Sequence, residues 1–66
     1  MSLTVSENTT ISEYYETIIL VENVTNIKIN KTKNYSAFTI KNQTDHEVEV
    51  NEKIILPDTT MLMMIL

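Results

Sequence analysis

The last twelve residues, Ile55 to Leu66, constrain the fold of this chain more than any other stretch. They consist of two apolar runs on either side of Pro57-Asp58, and the second run holds six consecutive apolar residues. Chain ends are usually polar and frayed. We therefore expect this apolar end to be covered, either by the rest of a small domain or by another subunit.

Short segments that alternate between apolar and polar residues precede this end. The clearest is 47–51, in which Val48 and Val50 share one face, and similar segments lie at 25–30 and 35–41. A period of two is the signature of β-strands. Ile54–Leu56 and Met61–Leu66 are apolar at every position, which predicts strands covered on both faces.

Polar clusters between these segments predict turns at 22–23, 30–34, 42–46, 51–52 and 57–58. The chain contains no glycine, so Asn and Asp must supply the turn conformations, because their short side chains tolerate positive φ. Five Asn-x-Ser/Thr sequences occur, at Asn8, Asn23, Asn30, Asn34 and Asn42. We interpret them as polar faces and turns of β structure rather than as glycosylation sites.

Residues 11–21 fit either a helix or a strand. Apolar residues recur there at helical spacing, namely at Ile11, Tyr14, Tyr15, Ile18 and Ile19, and 10–13 match a capping box. The same stretch is rich in residue types that favour strands. We favour a strand from about Tyr14 to Val21, which gives an all-β fold of five or six strands. This fold is a small sandwich, a roll or one subunit's share of an intersubunit barrel, and a short N-terminal helix is the alternative.

Size and composition favour assembly over isolated stability. A chain of 66 residues forms one small domain, and a domain of this size buries only about 60% of its unfolded surface. Small folds usually add disulfides, a metal or a partner. The chain has no cysteine and one histidine, so we expect no disulfide, no metal site and no cofactor. A homo-oligomer, or a complex with another protein, is the expected source of further burial.

Charge and hydropathy exclude other classes of function. The net charge of −4 argues against direct binding of nucleic acid phosphates, and the lysines at 28, 31 and 33 fit a solvated hairpin tip. No apolar run approaches the roughly 20 residues of a membrane helix, and no signal peptide is visible. Composition therefore favours the cytoplasm or, for a phage-encoded protein, the host cytoplasm or the virion.

Asp45-His46-Glu47 is the local group of ionisable residues that most resembles a catalytic site. It lies in a predicted turn, where solvent should keep the pKa values of the aspartate and the histidine ordinary. Glu47 and Glu49 share one strand face opposite two valines, which indicates a solvated face. Without glycine the chain has neither a P-loop nor a dinucleotide fingerprint. We expect no catalytic residues, and hence no enzyme.

Tyrosine and methionine are the best binding candidates, because tyrosine is enriched at interfaces and methionine adapts to irregular partners. Core packing is the alternative role for both. The predicted interface comprises Met61, Leu62, Met63, Met64, Ile65 and Leu66, with Tyr14 and Tyr15 as a secondary surface. The sequence thus favours a non-enzymatic binding or assembly module that acts as a homo-oligomer, such as a phage or prophage structural or accessory protein. The alternative is an inhibitor or ligand-sequestering protein that blocks a host factor.

Overall fold

A computed structural model describes residues 1–30 and 37–64, and in these residues the chain is all-β, as predicted. Its strands are β1 Ser2–Val5, β2 Thr9–Ile11, β3 Thr17–Leu20, β4 Asn26–Ile29, β5 Ala37–Asn42, β6 Val48–Val50, β7 Lys53–Ile55 and β8 Thr59–Met64. No helix occurs in the described residues. The helix alternative near the N-terminus is therefore wrong. The expected number of five or six strands is also wrong, because strands of three or four residues at the start of the chain give too short a pattern to be recognised.

The eight strands form two four-stranded sheets, in the orders β1-β3-β5-β8 and β2-β4-β6-β7. Within each sheet the first three strands run parallel, and the last strand runs antiparallel to its neighbour. From β1 to β6, successive strands belong alternately to the two sheets. The chain therefore runs as a coil of three circuits, in which Leu3, Ile18 and Ile40 pair from one circuit to the next.

One hydrophobic core joins the two sheets, and it is built from the alternation seen in the sequence. Along β5, Phe38 and Ile40 are buried whereas Thr39 between them is half-buried. The core comprises Val5, Ile11, Ile18, Leu20, Val24, Ile27, Ile29, Phe38, Ile40, Val48, Val50, Ile55 and Met63. Burial of such side chains is the main stabilising term for a fold of this kind.

The predicted turns at 22–23, 51–52 and 57–58 are confirmed. Asn51 and Asp58 adopt positive φ, at 48° and 56°, as their side chains allow. Glu22 and Glu52 do so as well, at 56° and 71°, which the sequence did not predict because glutamate does not favour this region. Most of the predicted turn at 30–34 lies outside the described residues, together with Lys31, Lys33 and Tyr35.

Within the single chain, the described residues of 54–56 and 61–66 are not covered on both faces, so the prediction of cover on both faces now depends on a partner. Ile54 is 49% exposed and Leu62 is 72% exposed. The reason is that each sheet packs against the other through one face, and no described element lies over the outer face of β7 or β8. The strand predicted from about Tyr14 starts instead at Thr17, so Tyr14 and Tyr15 lie in the connection before β3.

Candidate functional site

The predicted interface residues on β8 divide between its two faces. Met63 is 5% exposed and pairs with Phe38, so it belongs to the core. Met61, Leu62 and Met64 are 38%, 72% and 63% exposed. Ile65 and Leu66, the last two residues of the predicted interface, lie outside the described residues.

Exposed large apolar side chains are concentrated at one end of the coil, which we call the β7–β8 end because the last strands of both sheets form it. Apart from Met1, the exposed large hydrophobic residues of the described chain all lie there: Ile54, Leu56, Met61, Leu62 and Met64. Leu62 pairs with Thr39 and faces outwards from the first sheet, whereas Ile54 pairs with Glu49 and faces outwards from the second. Leu62 and Met64 share the outer face of β8, and neighbouring exposed apolar groups of this kind mark interaction sites.

The outer edge of β8 has no pairing strand among the described residues. The strand is six residues long and contains neither a charged residue nor proline. Natural proteins usually protect a sheet edge with charges, proline or a bulge, because unpaired N–H and C=O groups recruit other strands. The β8 edge has neither charges nor proline, so it is open to pairing.

Tyr14 and Tyr15, the secondary surface, are half-buried against the core and point to different places. The Tyr14 hydroxyl donates to the Ala37 carbonyl at 3.2 Å, and Ala37 pairs with Met64 of β8. Tyr15 lines a hollow between β1 and β2 at the other end of the coil. The two tyrosines therefore do not form a common surface.

His46 is held by both of its ring nitrogens. Nδ1 lies 3.0 Å from the Asp45 carboxylate, and Nε2 lies 2.7 Å from the Val24 carbonyl oxygen. Because both partners are acceptors, only the protonated ring can donate both hydrogen bonds. The Val24 carbonyl and the Asp45 carboxylate raise the pKa of His46, and the bond to His46 lowers the pKa of Asp45.

The expectation of ordinary pKa values for Asp45 and His46 is therefore wrong. For His46 the largest cause of the raised pKa is the bond to the Val24 carbonyl, 22 residues away along the chain and not visible in the local sequence. For Asp45 the largest cause of the lowered pKa is the hydrogen bond to His46. Glu47 is exposed. The hydrogen bond from His46 to the Val24 carbonyl ties the β5–β6 connection to the β3–β4 connection, and the ion pair with Asp45 orients the ring for it. The described residues contain no group of three or more metal-ligating side chains.

Asn42 is the polar residue whose importance sequence reasoning missed. Its side chain is 1% exposed, and Nδ2 donates to the carbonyl oxygens of His46, Ile55 and Leu56 at 3.0, 3.0 and 3.2 Å. Oδ1 accepts from the backbone N–H and the hydroxyl of Thr44, at 2.9 and 2.6 Å. The available signal was Asn-x-Thr at the end of a strand, which here forms a local side-chain turn.

Comparison with known proteins gives no match, whether to a family model, to a curated protein or to a solved structure. None of the described residues forms a helix long and apolar enough to cross a membrane.

Proposed function

We propose that this protein is a non-enzymatic assembly module that forms a homodimer through β8. The observation that carries the proposal is the outer edge of β8, with which no described strand pairs and beside which Leu62 and Met64 are 72% and 63% exposed. In a two-fold pair, β8 would run antiparallel to β8 of a second copy. The sheet that contains β8 in one copy would then join the same sheet of the other copy, and the backbone groups of the two β8 edges would pair with each other.

The side chains of β8 favour a second copy as the partner. In such a pair Leu62 and Met64 of both copies would project on the same outer face, where cross-strand apolar contacts stabilise a sheet. Each chain carries a net charge of −4, yet β8 itself has no charged residue. Self-pairing along β8 therefore brings no like charges into direct contact.

The size of this surface indicates a weak dimer. A stable interface usually buries about 800 Å² on each partner, and the whole described chain exposes 4399 Å². One edge strand with two apolar side chains provides less than the usual area. We therefore expect a dimer whose population depends on protein concentration, with a dissociation constant on the order of micromolar.

Molar mass in solution tests the proposal. Light scattering and sedimentation over a range of concentrations should show a species of 7.6 kDa at high dilution and twice that mass at high concentration. Leu62→Lys places a charge at the centre of the proposed interface and should give a folded monomer at every concentration. The matched control is Thr4→Lys on the exposed face of β1, at the opposite edge of the same sheet, which should dimerise like the wild type.

Circular dichroism of both variants separates loss of assembly from loss of folding. Because Leu62 is mostly exposed in the single chain, its replacement should leave the spectrum and the melting temperature close to those of the monomeric wild type. A wild type that stays monomeric at all concentrations would contradict the proposal. So would a Leu62→Lys variant that dimerises as well as Thr4→Lys.

A further inference from the structure

The end of the coil opposite β8 exposes a second pair of strand edges, those of β1 and β2. The Val5 carbonyl accepts from the Val21 N–H, and the Ile11 carbonyl accepts from the Asn30 N–H, both at 2.9 Å. Alternate residues of a strand bond to opposite sides, so the N–H and C=O groups of Thr4 and Thr10 point away from the neighbouring strands. No described strand pairs with these outer edges.

An open hollow of about 500 Å³ lies between these two edges. Leu3, Val5, Ile11 and Tyr15 contribute its apolar lining, and all four belong to the core or pack against it. The hollow thus borders one end of the hydrophobic core, where Leu3 and Tyr15 are half-buried. Repetitive coils of this kind need their end units covered, since an open end leaves unpaired backbone groups.

Charge around the hollow indicates what covers it. Glu7, in the connection between β1 and β2, and Glu13, just after β2, both line the hollow, whereas none of its lining residues is a lysine. Both glutamates are exposed. They lie two residues before the start and two residues after the end of β2, so negative charge flanks the open edge on both sides.

This arrangement disfavours a second copy of the chain at this end. A two-fold pair would align β2 antiparallel with its own copy and bring Glu7 of one chain towards Glu13 of the other. Like charges in such a position oppose association. An extended segment with cations on both flanks would instead meet an opposite charge at each end.

We infer that the β1–β2 end binds an extended apolar segment of another protein, flanked by lysine or arginine, which adds to β2 as a further strand. The backbone of the segment pairs with the outward-pointing groups of Thr10 in β2, and alternate apolar side chains fill the hollow above Leu3 and Ile11. This mode of recognition draws affinity from backbone hydrogen bonds and specificity from the pockets and charges beside them.

A synthetic peptide tests the inference without knowledge of the natural partner. The probe has the sequence Lys-Lys-Thr-Val-Thr-Val-Thr-Lys-Lys, and one comparison peptide carries Glu in place of every Lys. Another carries N-methyl groups at alternate residues, which block strand pairing. Titration into the full chain, followed by amide chemical shifts, should move resonances of residues 2–13 and leave those of β8 unchanged. The lysine probe should bind, and both comparison peptides should bind about tenfold more weakly or worse.

Two charge variants complete the test. The double variant Glu7→Lys, Glu13→Lys should weaken binding of the lysine probe by about tenfold, since two exposed ion pairs become repulsive. The control is Glu52→Lys in the β6–β7 turn, which alters charge at the other end of the coil and should leave binding unchanged. Absence of binding, shifts confined to β8, or equal binding of the N-methylated peptide would overturn the inference. Because the shifts are mapped by residue, this result does not depend on whether β8 dimerises.

Discussion

Replacing Asn42 by aspartate converts one NH₂ group into an oxygen at the most polar point of the core. The side chain keeps its shape, so only hydrogen bonding and charge change. In the wild type, Nδ2 lies 3.0–3.2 Å from three carbonyl oxygens. In Asn42→Asp these three acceptors would face a fourth acceptor, and at neutral pH that acceptor would be charged.

The expected cost follows from these contacts. Two N–H donors are lost, at about 1 kcal/mol each, and the carbonyls left without a partner cost a further 1–3 kcal/mol. The total of about 3–5 kcal/mol compares with a whole stability of roughly 3–10 kcal/mol for a chain of this length. Asn42→Asp should therefore lose a large part of its stability at pH 7, and unfold altogether if the wild type lies at the lower end of this range.

Acid should partly rescue this variant. Burial and the three facing carbonyls raise the pKa of the new carboxyl group in the folded state above its unfolded value of about 3.9. A raised folded-state pKa means that the variant is most stable below about pH 4, and that it loses stability as pH rises through the folded pKa. The protonated acid also regains one O–H donor for the carbonyl oxygens.

Urea unfolding followed by circular dichroism at pH 3.5 and pH 7 measures these effects. Asn42→Ala removes the donors without adding charge, so its loss of stability relative to the wild type should be similar at both pH values. Gln43→Glu makes the same chemical change at an exposed neighbouring position and should cost less than about 0.5 kcal/mol. A midpoint for Asn42→Asp at pH 7 within about 1 kcal/mol of the wild type would refute the assigned role of Asn42.

Three further perturbations test other parts of the structure. Glu52→Gly should raise the folding stability by about 0.5–1 kcal/mol in thermal melts, because glycine suits the positive φ of 71° in the two-residue β6–β7 turn. The control Glu52→Gln removes only the charge and should not reproduce this gain. The pKa of His46, measured by ring NMR titration, should lie above 6.5 and fall in Asp45→Asn. Because the folded-state pKa is raised, the contact stabilises the fold fully below pH 6.5, and this contribution is lost as pH rises through the folded pKa. A His46 pKa at or below 6.5 would contradict the geometry. Met63→Ala should cost about 2–5 kcal/mol of folding stability, whereas Met64→Ala should cost the single chain less than about 0.5 kcal/mol and weaken dimerisation instead. Equal losses of stability for the two substitutions in denaturant unfolding would contradict the assigned orientation of β8.

The all-β class and three turns could be predicted because each depends on residues close together in sequence. Val48 and Val50 show this best, since period two alone places them on the buried face of β6. The order of the strands could not be predicted in the same way. The choice of β3 as the parallel partner of β1, with β2 in the other sheet, depends on the path of the whole coil.

The candidate site was predictable to a similar extent. The apolar pattern identified β8 as a surface of interest, but a run that is apolar at every position does not show which side chains face the core. Met63 and Leu62 could be separated only when β8 was seen beside β5. The ambiguity at 11–19 has a related cause, because Ile11 and Ile18 belong to strands in different sheets and their spacing only imitates a helix.

The coil also sets an order for folding. Each parallel pair joins strands from successive circuits, whereas β6 and β7 are separated only by Asn51 and Glu52. Closing a short loop loses less chain entropy than closing a long one, and contacts between distant residues form slowly. The β6–β7 hairpin is therefore the natural nucleus, and circuits accumulate on it back towards β1. In this order β1 and β2 dock last, so we expect the β1–β2 end to be the first part of the native structure to open.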